Sequence, residues 1–221
     1  VLFPRLMYQK GKGADLTRMG YLYDKPMVLL AWMMPLLLGL LVLNLGLLIR
    51  YLLPAYLPAV PVLQILVVGM FFTVIWSVPR GLLVVFDQQH IFLKAIPVFL
   101  LLGALLNVAV IHLGYGIVGV AWASVLFYFI VSLVANLYAL RVLERSRLAR
   151  LRSLADIYAP FAYGLLALAI VYGVVPGEDD LRTCAIRSAL FSLLCIPLVL
   201  CAEFRLKLLA ALRQGLSRQS V

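Results

Sequence analysis

Charge is what this sequence has least of. Asp, Glu, Lys and Arg make up 13% of its 221 residues, about half the roughly 25% that covers a soluble globule. Carboxylates are scarcest: between Asp24 and Glu144 the only one is Asp87. A chain this poor in charge cannot clothe a globular surface in water, and a soluble fold is set aside. Enzyme signatures are lacking as well. There is no HExxH, no GxSxG and no P-loop; Lys10-Gly11-Lys12-Gly13 is a basic glycine turn without the Walker spacing. Cys184, Cys195 and Cys201 have neither metal-ligand nor framework spacing and read as small apolar side chains. His90 and His112 fall in loops on opposite sides, so they cannot share a metal. No catalytic residue, metal or cofactor is expected.

What is abundant is apolar length. Hydrophobic residues reach 65%, the mean hydropathy is +1.09, and several runs match the ~20 residues of helix that cross a hydrocarbon core. Six stand out: Pro26–Ile49, broken by Pro35; Pro54–Pro79, with a regular helix from about Pro61; Ile91–Ile111, with Lys94 near enough to its start to snorkel; Tyr115–Leu140; Ile157–Val175; and the shorter Ser188–Ala202. The segments between them alternate in basicity. The odd ones hold sixteen of the 19 Lys and Arg, from Arg5 and Lys10 through Arg80, Lys94 and Arg145 to Arg218; the even ones hold only Arg50, Arg182 and Arg187. One missed helix would scramble that alternation, so it fixes both the helix count and the orientation. The expectation is an all-α polytopic membrane bundle of about six transmembrane helices, with both ends cytoplasmic. The formal charge of +10 then reflects basic loops facing anionic lipid rather than nucleic acid.

The chain divides into a cytoplasmic basic loop (1–25), a four-helix part (26–140), a basic linker (141–156), two further spans (157–202) and a basic amphipathic tail (203–221). The linker interleaves Leu143, Leu148, Leu151 and Leu154 with arginines, as in a helix lying at the lipid headgroups. The tail places Phe204, Leu208, Leu212 and Leu216 four residues apart, which reads as membrane anchoring. Within the spans, Asn44, Gln64, Thr73, Ser77, Asn107, Ser124, Ser132 and Asn136 are expected chiefly to bond between helices, and Gly119/Ala123 and Ala169/Gly173 to let helices approach closely. No span carries a central carboxylate, so no coupling-ion site is expected here. Asp87 reads as a loop charge near Arg80. The opening Val1-Leu2-Phe3-Pro4-Arg5 resembles the end of an apolar element, and no signal-peptide h-region is visible. The sequence is therefore expected to be the C-terminal part of a longer protein, or a truncated gene product.

Three stretches together resemble the C-terminal half of polysaccharide-exporting flippases of the multidrug/oligosaccharidyl-lipid/polysaccharide superfamily. Leu2-Phe3-Pro4-Arg5-Leu6 is similar to the cytoplasmic junction ahead of that family's ninth helix. The run from Leu53 to Leu66, with Tyr56 ahead of Pro61-Val62-Leu63-Gln64-Ile65-Leu66, resembles the start of its tenth, with Leu53-Pro54 where the family often has Phe-Gly. Leu106-Asn107 with Gly116-Ile117-Val118-Gly119-Val120-Ala121-Trp122-Ala123-Ser124 resembles the link between its eleventh and twelfth. The matches cover roughly residues 1–140; residues 141–221 carry no matched motif, and their two spans correspond to the extra pair of longer members.

The resemblance implies part of a two-lobed, alternating-access transporter in the cytoplasmic (inner) membrane, moving lipid-linked saccharide between leaflets, with the N-terminal lobe and the first two helices of the C-terminal lobe missing. The bilayer and the lipid-linked saccharide are the implied partners. Candidate substrate-path residues are Arg80, Lys94, Gln64 and Asn107. Arg5, Lys10 and Lys12 could join Arg80 and Lys94 in attracting a pyrophosphate, although topology alone also accounts for them. A multidrug extruder or lipid II flippase of the same superfamily, a non-transporting membrane subunit, and a membrane glycosyltransferase are the other readings. The topology has a direct test. Alkaline phosphatase fused after Pro54, His112 or Gly177 should be active and fusions after Asp87 or Arg152 inactive; activity at Arg152 would refute the six-span arrangement.

Overall fold

The computed structural model describes Tyr8, residues 16–177 and residues 179–218, without the side chains of 16–18, 89, 92, 206 and 208–218. Among the described residues six α-helices follow one another from Leu16: α1 Leu16–Leu52, α2 Val60–Val85, α3 Gln89–His112, α4 Gly116–Val142, α5 Arg147–Val174 and α6 Leu181–Arg218, with a 3-10 turn at Pro54–Ala59 between α1 and α2. All six are long and apolar enough to cross a membrane. Among the described residues there is no strand. This is the expected architecture, and its basis is that a helix satisfies every backbone N–H and C=O internally where no water can.

The helices outrun the apolar segments that announced them. α1 starts at Leu16 rather than near Pro26 and extends 37 residues, about 55 Å at 1.5 Å per residue. Polar residues end a hydropathy run without ending a helix, because backbone bonding continues unchanged into the headgroup layer. The expected headgroup-lying linker (141–156) takes another form for the same reason. α4 continues to Val142 and a short turn follows. α5 then runs unbroken from Arg147, with Ser146 Oγ accepting from the Ala149 N–H as its cap. Arg147–Asp156 thus forms the first turns of a membrane-crossing helix. Of the tail, the backbone is helical to Arg218, while the side chains of Leu208, Leu212 and Leu216 lie outside the described residues.

α1 is the hub, packing against α2, α5 and α6, while α2 lies along α4 and α3 leans on α4 at the periphery. Its buried residues recur four apart: Met19, Tyr23, Met27, Ala31, Pro35, Gly39 and Leu43. This is the i, i+4 stripe of a helix with one packed side. The stripe narrows where neighbours come closest. Gly164 of α5 faces Pro35, and a Cβ there would stand 2.8 Å from the proline ring; Gly39 faces Phe191 of α6, whose ring would be 2.1 Å from an added Cβ. Pro35 therefore serves as a contact surface inside a continuous helix and does not break it. A second seam joins α2 and α4, where a Cβ on Gly69 would stand 2.6 Å from Val125. The core beside it stacks Phe71 on Phe161 at 4.5 Å and sets Phe72 edge-on to Phe129 and Phe161. Of the two expected small-residue pairs, Gly119 and Ala123 are buried, and Gly119 sits against Val110 and Tyr115 across the α3–α4 turn. Ala169 and Gly173 are exposed, and nothing lies within 4 Å of a Cβ on Gly173. On α5 the contact face is instead Pro160, Gly164, Ala167 and Val171.

Replacing Gly39 by Val should destabilise the bundle by about 1–3 kcal/mol, because the Phe191 ring is fully buried and has nowhere to move. Gly173→Ala should stay within about 0.5 kcal/mol of the parent. Unfolding titrations of both variants in mixed detergent micelles measure the difference.

Candidate functional site

Polar side chains gather at three depths. At the end of the bundle opposite the basic loops, Arg187 of α6 is 2% exposed and bonded through all three of its nitrogens. Its Nε donates to the Val175 carbonyl at 3.0 Å, Nη1 to Asp179 at 2.8 Å and Nη2 to the Gly177 carbonyl at 2.9 Å. The guanidinium also lies 4.8 Å above the Tyr172 ring, a cation–π placement that desolvation strengthens. Nearby, Arg50 at the end of α1 pairs with Asp180 at 3.1 Å. Two of the three basic residues assigned to this side are thus neutralised by the loop that also carries Glu178. Gly46 allows the approach, since a Cβ there would stand 2.0 Å from Asp179.

Beneath this cap, uncharged groups bridge helices. Asn44 donates to Ser188 at 2.9 Å, and Gln64 donates to the Val42 carbonyl at 3.2 Å and to the Tyr172 hydroxyl at 3.3 Å. Nearer the basic end, Tyr23, Asn136 and Ser132 are buried together. The Tyr23 hydroxyl donates to Asn136 Oδ1 at 2.7 Å, Asn136 Nδ2 donates to the Ser132 carbonyl at 2.8 Å, and Ser132 Oγ meets the Tyr158 hydroxyl at 3.0 Å. The network ties α1, α4 and α5 together without a formal charge.

At the basic end, ion pairs cross between helices. Arg145, in the α4–α5 turn, pairs with Asp24 of α1 and donates to Ser153 at 2.7 Å. Arg205 of α6 grips Asp156 of α5 with both Nη groups at 2.6 and 2.8 Å. These four charges line one cavity of about 130 Å³. Tyr138 of α4 reaches Gln88 of the α2–α3 turn at 3.1 Å.

The four candidate substrate-path residues are not brought together. Arg80 lies in the last turns of α2, exposed, with its guanidinium 5.4 Å from the Trp76 ring. Lys94 is exposed in the second turn of α3 at the same end. Gln64 sits in the second turn of α2 at the other end, occupied by Val42 and Tyr172. Asn107 is on peripheral α3 towards that end, and its buried Oδ1 has no hydrogen-bond partner among the described residues. Asp87 is exposed in the α2–α3 turn at φ 59, and no ion pair to Arg80 is present among the described residues. Arg5, Lys10, Lys12 and the stretch Leu2–Leu6 lie outside the described residues. His90 and His112 stand at opposite ends of α3, and no group of three or more His, Cys, Asp or Glu among the described residues could hold a metal. Cys184 and Cys195 are buried and Cys201 is exposed; all three are free thiols.

Of the polar residues flagged in the spans, Asn44, Gln64, Ser132 and Asn136 do bond between helices. Thr73, Ser77 and Ser124 instead turn back on carbonyls of their own helices at 2.8, 2.6 and 2.9 Å. The residues missed from sequence are Tyr23, Asp24, Asp156, Tyr158 and Arg187. The first two were assigned to a loop, and their helical phase with Met19 and Met27 was the signal available. No family model, curated protein or solved structure matches the chain.

Arg187→Ala removes the guanidinium and leaves Asp179 and two loop carbonyls without their donor. Breaking a buried pair in this way should cost about 3–5 kcal/mol, against under about 1 kcal/mol for Arg50→Ala at the exposed pair. Thermal unfolding of the purified variants, read by loss of helix circular dichroism, separates the two.

Proposed function

We propose that this chain is part of a membrane transporter that flips lipid-linked oligosaccharide or polysaccharide precursors across the cytoplasmic membrane, as a member of the multidrug/oligosaccharidyl-lipid/polysaccharide superfamily. The reading rests on the order and spacing of three sequence stretches, at Leu2–Leu6, Leu53–Leu66 and Leu106–Ser124. In support, the last two fall at helix junctions on the side opposite the basic loops: the 3-10 turn into α2, and the turn between α3 and α4. The glycines of the third stretch meet specific demands there. Gly116 takes φ +58, and a Cβ on Gly119 would collide with Val110 at 2.2 Å. On this reading the basic end faces the cytoplasm, and the chain works as a transporter and not as an enzyme.

A transporter needs a second lobe to alternate against, and in the family register that lobe and two helices precede the matched stretches. The transport cavity would then lie against a face of this chain that the missing part covers. Arg80 and Lys94, exposed on neighbouring helices at the basic end, are positioned to draw a pyrophosphate headgroup to its mouth. Gln64 is already engaged within the bundle, and its role is structural.

Deleting the full-length parent tests the reading. Undecaprenyl-linked oligosaccharide should accumulate on the cytoplasmic face while surface polymer disappears, and residues 1–221 alone should insert but fail to restore export. In the complemented strain, Arg80→Glu should abolish export at normal membrane abundance. Intact surface polymer with lowered resistance to cationic compounds would identify a drug extruder instead.

A further inference from the structure

We propose that the cavity at the basic end binds a zwitterionic headgroup carrying both a phosphate and a primary ammonium, the phosphoethanolamine group of a phospholipid in the adjacent leaflet. The inference is independent of the transport reading. The cavity is lined by Asp24, Arg145, Ser153, Asp156 and Arg205, contributed by α1, the α4–α5 turn, α5 and α6. Its volume of about 130 Å³ is far above the ~10–15 Å³ that admits one water. The charged side chains are not sealed in: those of Arg205 and Asp156 are 42% and 38% exposed, and those of Arg145 and Asp24 are 21% and 27% exposed.

The balance of charge selects the ligand. Two guanidiniums and two carboxylates face one space. A simple anion would meet both carboxylates and a simple cation both arginines, whereas a group bearing both charges finds a complement at each end. The internal pairs leave capacity for it. Arg145 uses Nη1 and Nη2, and Arg205 likewise, so each keeps its Nε–H without a partner among the described residues; Asp24 bonds through Oδ2 and keeps Oδ1. A phosphate suits the planar guanidinium donors. A primary ammonium supplies three donors for carboxylates, which a quaternary ammonium lacks altogether. Met27, Val28 and Ile157 complete the lining with apolar surface against which the two methylenes of ethanolamine can rest.

The position fixes the source as membrane lipid. Arg205 is the last residue of the sixth candidate span, Asp24 lies in the second turn of the first, and Arg145 stands in the turn joining the fourth and fifth. This is the level at which phospholipid headgroups lie. The half-exposed edge formed by Asp156 and Arg205 opens the cavity to that layer.

Native mass spectrometry of the 221-residue chain in detergent, titrated with phosphatidylethanolamine, phosphatidylcholine and phosphatidylglycerol of one acyl composition, tests the assignment. Phosphatidylethanolamine should bind at least about tenfold more tightly than either of the others, the change that about 1.4 kcal/mol of lost ammonium or phosphate contact produces. Asp24→Asn with Asp156→Asn should reduce its binding to the phosphatidylcholine level, whereas Arg50→Gln, at the far end of α1, should leave it unchanged. The lipid comparison on the parent chain needs no variant and holds even if the double variant fails to fold. Equal affinity for the three lipids, or preference for phosphatidylglycerol, would overturn the proposal. Saturation of the site by water-soluble phosphoethanolamine at the lipid's own concentration would overturn its assignment to a membrane lipid.

Discussion

In hydrocarbon the hydrophobic effect gives helices no reason to associate, since lipid tails are as apolar as leucine. What holds this bundle together is therefore close approach, and the approach is made along one stripe of α1. Ala31, Pro35, Gly39 and Gly46 present so little side chain that α5, α6 and the loop before α6 come within contact of the backbone. Met19, Tyr23 and Met27 fill the wider space towards the basic end. Each short contact gains dispersion energy that the same helix could not get from mobile lipid. The rest of the arrangement follows. α2 adds its own close seam with α4 through Gly69, and α3, which lacks such a seam on all but one side, stays at the rim.

Polar chemistry is distributed by depth in a way the same solvent dictates. The interior of the bundle uses only neutral groups, Tyr23, Asn136, Ser132 and Tyr158 in one cluster and Asn44, Ser188 and Gln64 in another. The Tyr23, Asn136, Asn44 and Gln64 donors each have an acceptor on a neighbouring helix or within their own turn. Charges appear only towards the two ends, where headgroups or water share them or, for Arg187, where the loop before α6 supplies the partners. At the ends several come in pairs: Asp24, Asp156, Asp179, Asp180 and Glu203 each meet a cation, while Asp87 and Glu144 have no ion pair among the described residues. Scarcity of acid in the sequence thus has a structural counterpart, with each paired carboxylate placed where a basic residue would otherwise lie uncompensated.

Much of the architecture was legible because its two strongest signals, apolar length and the alternation of Lys and Arg, arise from single residues and need no partner. The ion pairs show which segments share an end of the bundle: Arg50–Asp180 joins the end of α1 to the start of α6, and Arg145–Asp24 joins the start of α1 to the turn after α4. Helix boundaries were less legible, since hydropathy marks where lipid ends and not where a helix does. Asp24 and Tyr23 looked like loop residues on that account. The contact faces were least legible. Ala169 and Gly173 have the same spacing as any helix-packing pair, yet the occupied face of α5 lies about half a turn away at Gly164 and Ala167. Only the position of α1 decides between them. The scatter of the four substrate-path residues differs in kind, because it follows from their places along α2 and α3: Gln64 and Arg80 lie near opposite ends of one helix, Lys94 and Asn107 near opposite ends of the next.

The two ends of the bundle are fastened differently, and this bears on how it can move. Opposite the basic loops, Arg187 is withdrawn from solvent and holds a carboxylate and two carbonyls at once, so α6 cannot leave that loop without exposing an unsatisfied charge to a poor solvent. At the basic end, the Arg205–Asp156 pair that fastens α5 to α6 is about 40% exposed and weakly held, while the Arg145–Asp24 pair between α1 and the α4–α5 turn is about a quarter exposed. The neutral network of Tyr23, Asn136, Ser132 and Tyr158 stands just inside that weaker end. It is the first barrier that would keep α1, α4 and α5 together once the pairs let go. The two ends thus differ in what any separation of helices would have to break: a buried, multiply bonded guanidinium at one and part-exposed pairs at the other. The cavity between Arg145 and Arg205 lies among those part-exposed pairs, at the more weakly fastened end.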